Sequence, residues 1–165
     1  MDAREQIFQQ LIEDCGGGIA RLAGSYARNR AEQEDLTQEI WLAIWRALPG
    51  FRGDSSLRTF AYRIAHNRSV TQLTRRRDSG DSALLDDLTD ESPGPDMRLI
   101  QSRDAERLLR AVSQLSLGMR QALTLRFEGL SYSEISEVLG ISESNVAVRL
   151  NRARERLNAK MRETE

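Results

Sequence analysis

The side chains of this sequence best suited to chemistry are arginines. Six basic residues (149, 152, 154, 156, 160 and 162) lie between Asn145 and Arg162 with Glu155 as the sole acid. Seven arginines (52, 58, 63, 68, 75, 76 and 77) lie between Arg52 and Arg77 with Asp54 as the sole acid. A guanidinium stays charged at physiological pH and presents a planar fork of donors, so such clusters hold phosphate oxygens and base edges and do not shuttle protons. Side chains that do covalent work are scarce. Cys15 is the only cysteine and His66 the only histidine, which leaves no internal disulfide and no Cys/His zinc set. There is no P-loop pattern and no His/Ser/Asp arrangement with motif spacing. An enzyme is not expected, nor is a metal or cofactor. Cys15 is expected to fill space in a core, and His66 to pack or lie at the surface of its helix.

The formal net charge of -1 conceals how unevenly the charges are placed. Between the two basic blocks, Asp78 to Asp96 holds seven acids and no base. That stretch, "DSGDSALLDDLTDESPGPD", has too little apolar content for a core and is expected to be a linker, with a surface loop of a single domain as the alternative. The chain then divides into a domain over 1–77, an acidic linker over 78–96 and a second domain over 97–165. With 39% hydrophobic and 30% charged residues and only three prolines, both domains are expected to be small, all-α and soluble. No signal-peptide core and no run of about twenty apolar residues is present, so a cytoplasmic chain without membrane insertion is expected.

Helical periodicity places the candidate residues. In the first domain Ile7, Phe8, Leu11 and Ile12 form one stripe, and a separate helix is expected from about Gly18 to Asn29 after the "GGG" at 16–18. In "EDLTQEIWLAIWRALPG", Leu36, Ile40, Ile44 and Leu48 recur every four residues until Pro49-Gly50 ends the run, while Trp41 and Trp45 widen the buried side. The opposite face carries Asp35, Gln38, Glu39, Leu42 and Arg46, which suits either a protein partner or plain solvent. A further helix from about Ser56 to Arg77 is apolar at Leu57, Phe60, Ala61, Ile64, Ala65 and Leu73 and rich in arginine elsewhere. Tyr62, Arg63 and Asn67 together could serve single-stranded nucleic acid, although on periodicity Tyr62 and Phe60 are more often core than base platform, and Asn67 is equally open to a local hydrogen bond.

The second domain is more explicit. After amphipathic stretches "MRLIQSRDAERLLRAVSQL" and "MRQALTLRFEG", Ser131 and Glu134 form a capping box, Ile135, Val138 and Leu139 an apolar side, and Gly140 a stop. Ser142 caps the next helix at once, which makes a helix-turn-helix. Val146, Leu150, Ala153 and Leu157 face inward, so Ser144, Asn145, Val148, Arg149 and Arg152 face outward, where such motifs meet the major groove.

Two long segments resemble a known family. "EDLTQEIWLAIWRALPGFRGDSSLRTFAYRIAHNR" is similar to region 2, and "LSLGMRQALTLRFEGLSYSEISEVLGISESNVAVRLNRARERL" to region 4, of the extracytoplasmic function (ECF, group IV) sigma factors of the sigma-70 family. The likeness spans roughly residues 8–77 and 98–161. It implies that Asp35, Gln38 and Glu39, with Leu42 beside them, grip the clamp helices of the largest subunit of core RNA polymerase. It implies that Gly53, Asp54 and Ser55 capture an extruded base of the -10 promoter element, supported by Tyr62, Arg63 and Asn67. It assigns Ser144 to Arg152 to the -35 element, and the acidic linker to a path between the two domains. An anti-sigma protein would be the implied inhibitor, with an inhibitory contact of the linker on the basic blocks as an alternative.

The chain departs from the family pattern at Leu115-Ser116, where Leu-Pro is usual, and at Phe60, where tryptophan is common. Ala147 and Val148 stand where many relatives carry polar or basic residues, which favours thymine methyls over guanine contacts. A repressor or activator acting on duplex DNA without polymerase is the competing class. It would need a dimerisation surface, and no heptad repeat supplies one.

Overall fold

The computed structural model describes residues 1–78 and 103–163. By packing, the chain divides into two compact units, Met1–Thr74 and Arg75–Glu165. All regular structure among the described residues is helical. The expected acidic linker lies outside the described residues except for Asp78.

The first unit is built on α1 (Ala3–Tyr26), α2 (Arg30–Ala47), a 3-10 turn (Leu48–Gly50) and α3 (Leu57–Asp78). At the start of α1 the Asp2 carboxylate accepts the Glu5 N–H at 2.8 Å, and the Glu5 carboxylate accepts the Asp2 N–H at 3.0 Å, a reciprocal cap. The helix then runs without interruption through Gly16, Gly17 and Gly18, which corrects the expectation of two helices. Each internal glycine costs about 1 kcal/mol relative to alanine. Against that, Leu11 and Cys15 before the glycines and Ile19, Leu22, Ala23 and Tyr26 after them are all buried, and one straight helix keeps them on one stripe. Burying each large side chain contributes about 1.5–3 kcal/mol, so packing outweighs propensity. The stripe is also shifted from its expected position: Ile7 and Ile12 are 39% and 43% exposed.

α2 follows its periodicity. Asn29 caps it by accepting the Glu32 N–H at 2.9 Å, and Leu36, Ile40, Ile44 and Leu48 are all buried. α2 reaches α1 at Gly24 through the Gln33 side chain, whose nitrogen would stand 2.7 Å from an added Cβ. That nitrogen donates to the Ala20 carbonyl at 2.7 Å. At the other end Phe8 meets Trp41 and Trp45 edge-on, at 5.7 and 5.1 Å between centroids. The Arg4 guanidinium lies 3.8 Å from the Trp45 ring centroid and donates to the Trp45 carbonyl. α3 joins this pair through Ala61, Tyr62, Ala65 and Leu73, and the Tyr26 hydroxyl is 3.2 Å from His66 Nδ1. His66 is thus a packing residue, as is Cys15, which is fully enclosed.

The second unit holds α4 (Arg103–Ser113), α5 (Leu117–Phe127), α6 (Tyr132–Leu139) and α7 (Glu143–Arg162). Its turns are fixed by short-range hydrogen bonds. Ser131 and Glu134 form the capping box of α6, with bonds of 3.1 and 3.0 Å. Gly140 ends the helix in the left-handed conformation at φ 68°, and Ser142 Oγ accepts the Asn145 N–H at 3.0 Å to start α7. Leu125, Leu130, Ile135, Val138, Val146, Leu150 and Ala153 close the core between α5, α6 and α7.

Candidate functional site

On α2 the buried seam fixes what the opposite side must show. Asp35, Gln38 and Glu39 are exposed, as is Leu42 at 49%. Among the described residues none of the three polar side chains is engaged in a hydrogen bond or ion pair. A carboxylate-rich patch around an exposed leucine is therefore held rigidly outward with its hydrogen-bonding capacity uncommitted, as a protein-docking face requires.

Residues 53–55 form a loop entering α3. Gly53 takes φ 80°, which favours glycine, and Asp54 is exposed. Ser56 Oγ accepts the Thr59 N–H at 3.1 Å and so starts the helix. The Arg63 guanidinium reaches back to Ser55 Oγ at 3.3 Å, which brings the loop and the helix surface together. Asn67 lies one turn beyond and is exposed. Tyr62 does not share this surface. It is 2% exposed, so its ring packs in the core and supports the site from beneath; it does not present a stacking face. Phe60 is half-buried against Phe51, with ring centroids 4.9 Å apart.

On α7, Ser144, Asn145, Val148 and Arg152 are exposed, as their spacing predicts. Arg149 differs. It is half-buried on the flank of the helix, and its guanidinium packs against α5 at Gly118. Beside the motif, Arg126 donates to the Leu130 carbonyl at 2.9 Å and lies 5.5 Å from the Tyr132 ring centroid, bracing the turn into α6.

Two surface features were not legible beforehand. One is an apolar groove of about 570 Å³ lined by Met1, Phe8, Ile12 and Trp45 with Glu5, Gln9 and Glu13. The other is Phe127, 67% exposed at the end of α5. Among the described residues there is no cluster of His, Cys, Asp or Glu able to hold a metal, and no helix is long and apolar enough to cross a membrane.

A helical unit with an outward acidic face, in one chain with a helix-turn-helix whose outer surface is basic, is the plan of a DNA-binding transcription factor. Comparison with known proteins narrows the class. Residues 11–79 match the family described as Sigma-70 region 2, and residues 105–157 that described as Sigma-70, region 4. The chain is 30% identical to the ECF RNA polymerase sigma-E factor of Escherichia coli K12, over 95% of this chain and 87% of that protein. It is 28% identical to the RNA polymerase sigma factor CnrH of Cupriavidus metallidurans, over 94% and 86%. The solved complex of CnrH with the cytosolic domain of CnrY aligns with a TM-score of 0.70 at 26% identity, covering 96% of this chain and 89% of that one. The sigma factor RpoE of Bartonella quintana, solved with the anti-sigma factor NepR, aligns with a TM-score of 0.73 at 24% identity, covering 93% and 95%. The chain belongs to the sigma-70 family, within its ECF group, and is an RNA polymerase sigma factor.

Proposed function

We propose that the first unit docks on the clamp helices of the polymerase largest subunit through Asp35, Gln38, Glu39 and Leu42. In this reading, Gly53, Asp54 and Ser55 receive a base of the -10 element, with Arg63 and Asn67 on the adjoining helix and Tyr62 as their buried support. Ser144, Asn145, Val148 and Arg152 meet the -35 element in the major groove, and Arg149 stands at its edge. The observation that carries the reading is that both outward faces, on α2 and on α7, are rigidly set by fully buried seams on the opposite side of the same helices.

The physics explains why the factor works only with polymerase. Opening about ten base pairs disrupts stacking of roughly 1.4 kcal/mol per step, on the order of 14 kcal/mol. A captured base contributes only about 1–3 kcal/mol. Base capture therefore decides where opening starts, and the enzyme's DNA channel supplies the remaining stabilisation. The chain acts by binding and not by covalent chemistry, in the cytoplasm where polymerase is. The reading keeps the division expected from the sequence, a domain over 1–77 and one over 97–165 with the acidic linker between. Control by an anti-sigma protein is supported by the complex solved for the structural relative RpoE.

Run-off transcription with purified core polymerase on a genomic fragment library tests this. New start sites sharing -10 and -35 elements are expected when the chain is added. Start sites identical to those of core enzyme alone, together with sequence-specific binding to duplex sites that does not depend on polymerase, would replace the sigma reading with that of a stand-alone repressor or activator.

A further inference from the structure

Glycine is a poor helix former, and Gly118 occupies the second residue of α5. Its backbone does not call for glycine. The positive-φ glycines among the described residues are Gly53, Gly129 and Gly140, and Gly118 is not one of them. What the position does need is space. A Cβ built there would stand 3.2 Å from Arg149 Nη1, 3.3 Å from Cζ and 3.6 Å from Nε, so the guanidinium lies over the spot a side chain would take.

Arg149 itself has an unusual place. It lies between the buried seam of Val146, Leu150 and Ala153 and the outward residues Asn145, Val148 and Arg152, and it is half-buried. Among the described residues no carboxylate or carbonyl accepts from its guanidinium. On a helix lying in the major groove, the middle of the outer face meets base edges while a flank meets the sugar-phosphate wall. A charged fork pinned on the flank, with no internal acceptor, suits a phosphate oxygen.

We infer that Gly118 is a positioning residue for promoter binding: by carrying no side chain it seats the Arg149 guanidinium against α5, where it takes a DNA backbone phosphate and not a base. The inference rests on the reading of α7 as the DNA-contacting helix. It assigns Arg149 to affinity and leaves sequence preference to Ser144, Asn145, Val148 and Arg152.

The test uses the full chain and fluorescently labelled mixed-sequence duplex DNA, with binding measured by anisotropy over a series of salt concentrations. Gly118→Glu places a carboxylate on the seat, where it pairs with Arg149 and diverts it from the phosphate. Affinity at low salt is expected to fall about tenfold, and the slope of log K against log salt to become shallower by about 1, the loss of one phosphate contact. Thermal stability should hold or rise, because an acid in the first turn of a helix is favourable. Gly118→Gln fills the same space without charge and should lose less, and Gly118→Ala, which needs the guanidinium to give only a few tenths of an ångström, less again. Arg149→Ala should match Gly118→Glu, and the double variant should be no worse than either.

A wild-type salt slope in both Gly118→Glu and Gly118→Gln, with a reduced slope in Arg149→Ala, would overturn the positioning role and leave the DNA-binding reading of α7 intact. Unchanged binding in Arg149→Ala and Arg152→Ala, or no binding by the wild-type chain at low salt, would overturn both.

Discussion

At the scale of single residues, burial separates those proposed to touch a partner from those that hold them in place. Gln38 and Glu39 are exposed and lie across α2 from Ile40 and Ile44, which are fully buried. Changing both to alanine should weaken binding to core polymerase at least tenfold while shifting unfolding free energy by no more than about 0.5 kcal/mol, as for ordinary surface substitutions. Competition with the wild-type chain for immobilised core enzyme, alongside urea denaturation, measures the two effects separately. Tyr62 should behave in the opposite way. Its side chain is interior, so Tyr62→Ala should destabilise the first unit by about 3–5 kcal/mol, the usual cost of deleting a buried ring. An unfolding curve superimposable on that of wild type would show that the ring is not part of the core.

At the scale of elements, the glycines of α1 give a pair of predictions of opposite sign. A Cβ at Gly16 would meet only an Ile12 methyl at 4.0 Å, so Gly16→Ala should stabilise the first unit by up to about 1 kcal/mol. A Cβ at Gly24 would stand 2.7 Å from the Gln33 side-chain nitrogen, whose hydrogen bond to Ala20 joins α1 to α2. Gly24→Ala should therefore be destabilising by about 0.5–1 kcal/mol, because the Gln33 amide must swing aside and lose that bond, which outweighs the gain in helix propensity. Urea midpoints of the two variants decide both signs. In the second unit Ser131, Gly140 and Ser142 set the short connections that orient α7 against α5 and α6.

At the scale of the whole molecule, a near-zero net charge conceals two cationic blocks and one acidic segment. Such a chain is steered toward DNA by its basic faces while its total charge gives little sign of it. Because no face of the chain can supply the free energy to separate a promoter bubble, permanganate should find no reactive thymines when the chain is mixed with promoter DNA alone. Reactive thymines should appear once core polymerase is added. Reactivity without polymerase would show that the chain melts DNA unaided, contrary to the energetic comparison above.

The sequence by itself determined the all-helical class, the α2 seam at Leu36, Ile40, Ile44 and Leu48, both Ser caps of the helix-turn-helix and the outward set on α7 apart from Arg149. These depend on periodicity and on hydrogen bonds spanning three or four residues, which local sequence encodes directly. Only the tertiary structure decided that α1 runs through three glycines, that Tyr62 turns inward, and that Arg149 rests on Gly118. Each of those outcomes depends on what lies across the interface from the residue: buried neighbours that outweigh a poor helix former, a second helix that covers one edge of the stripe, or a missing Cβ thirty-one residues away in the chain. Periodicity says which residues share a face, but the element packed opposite sets how far that face is covered.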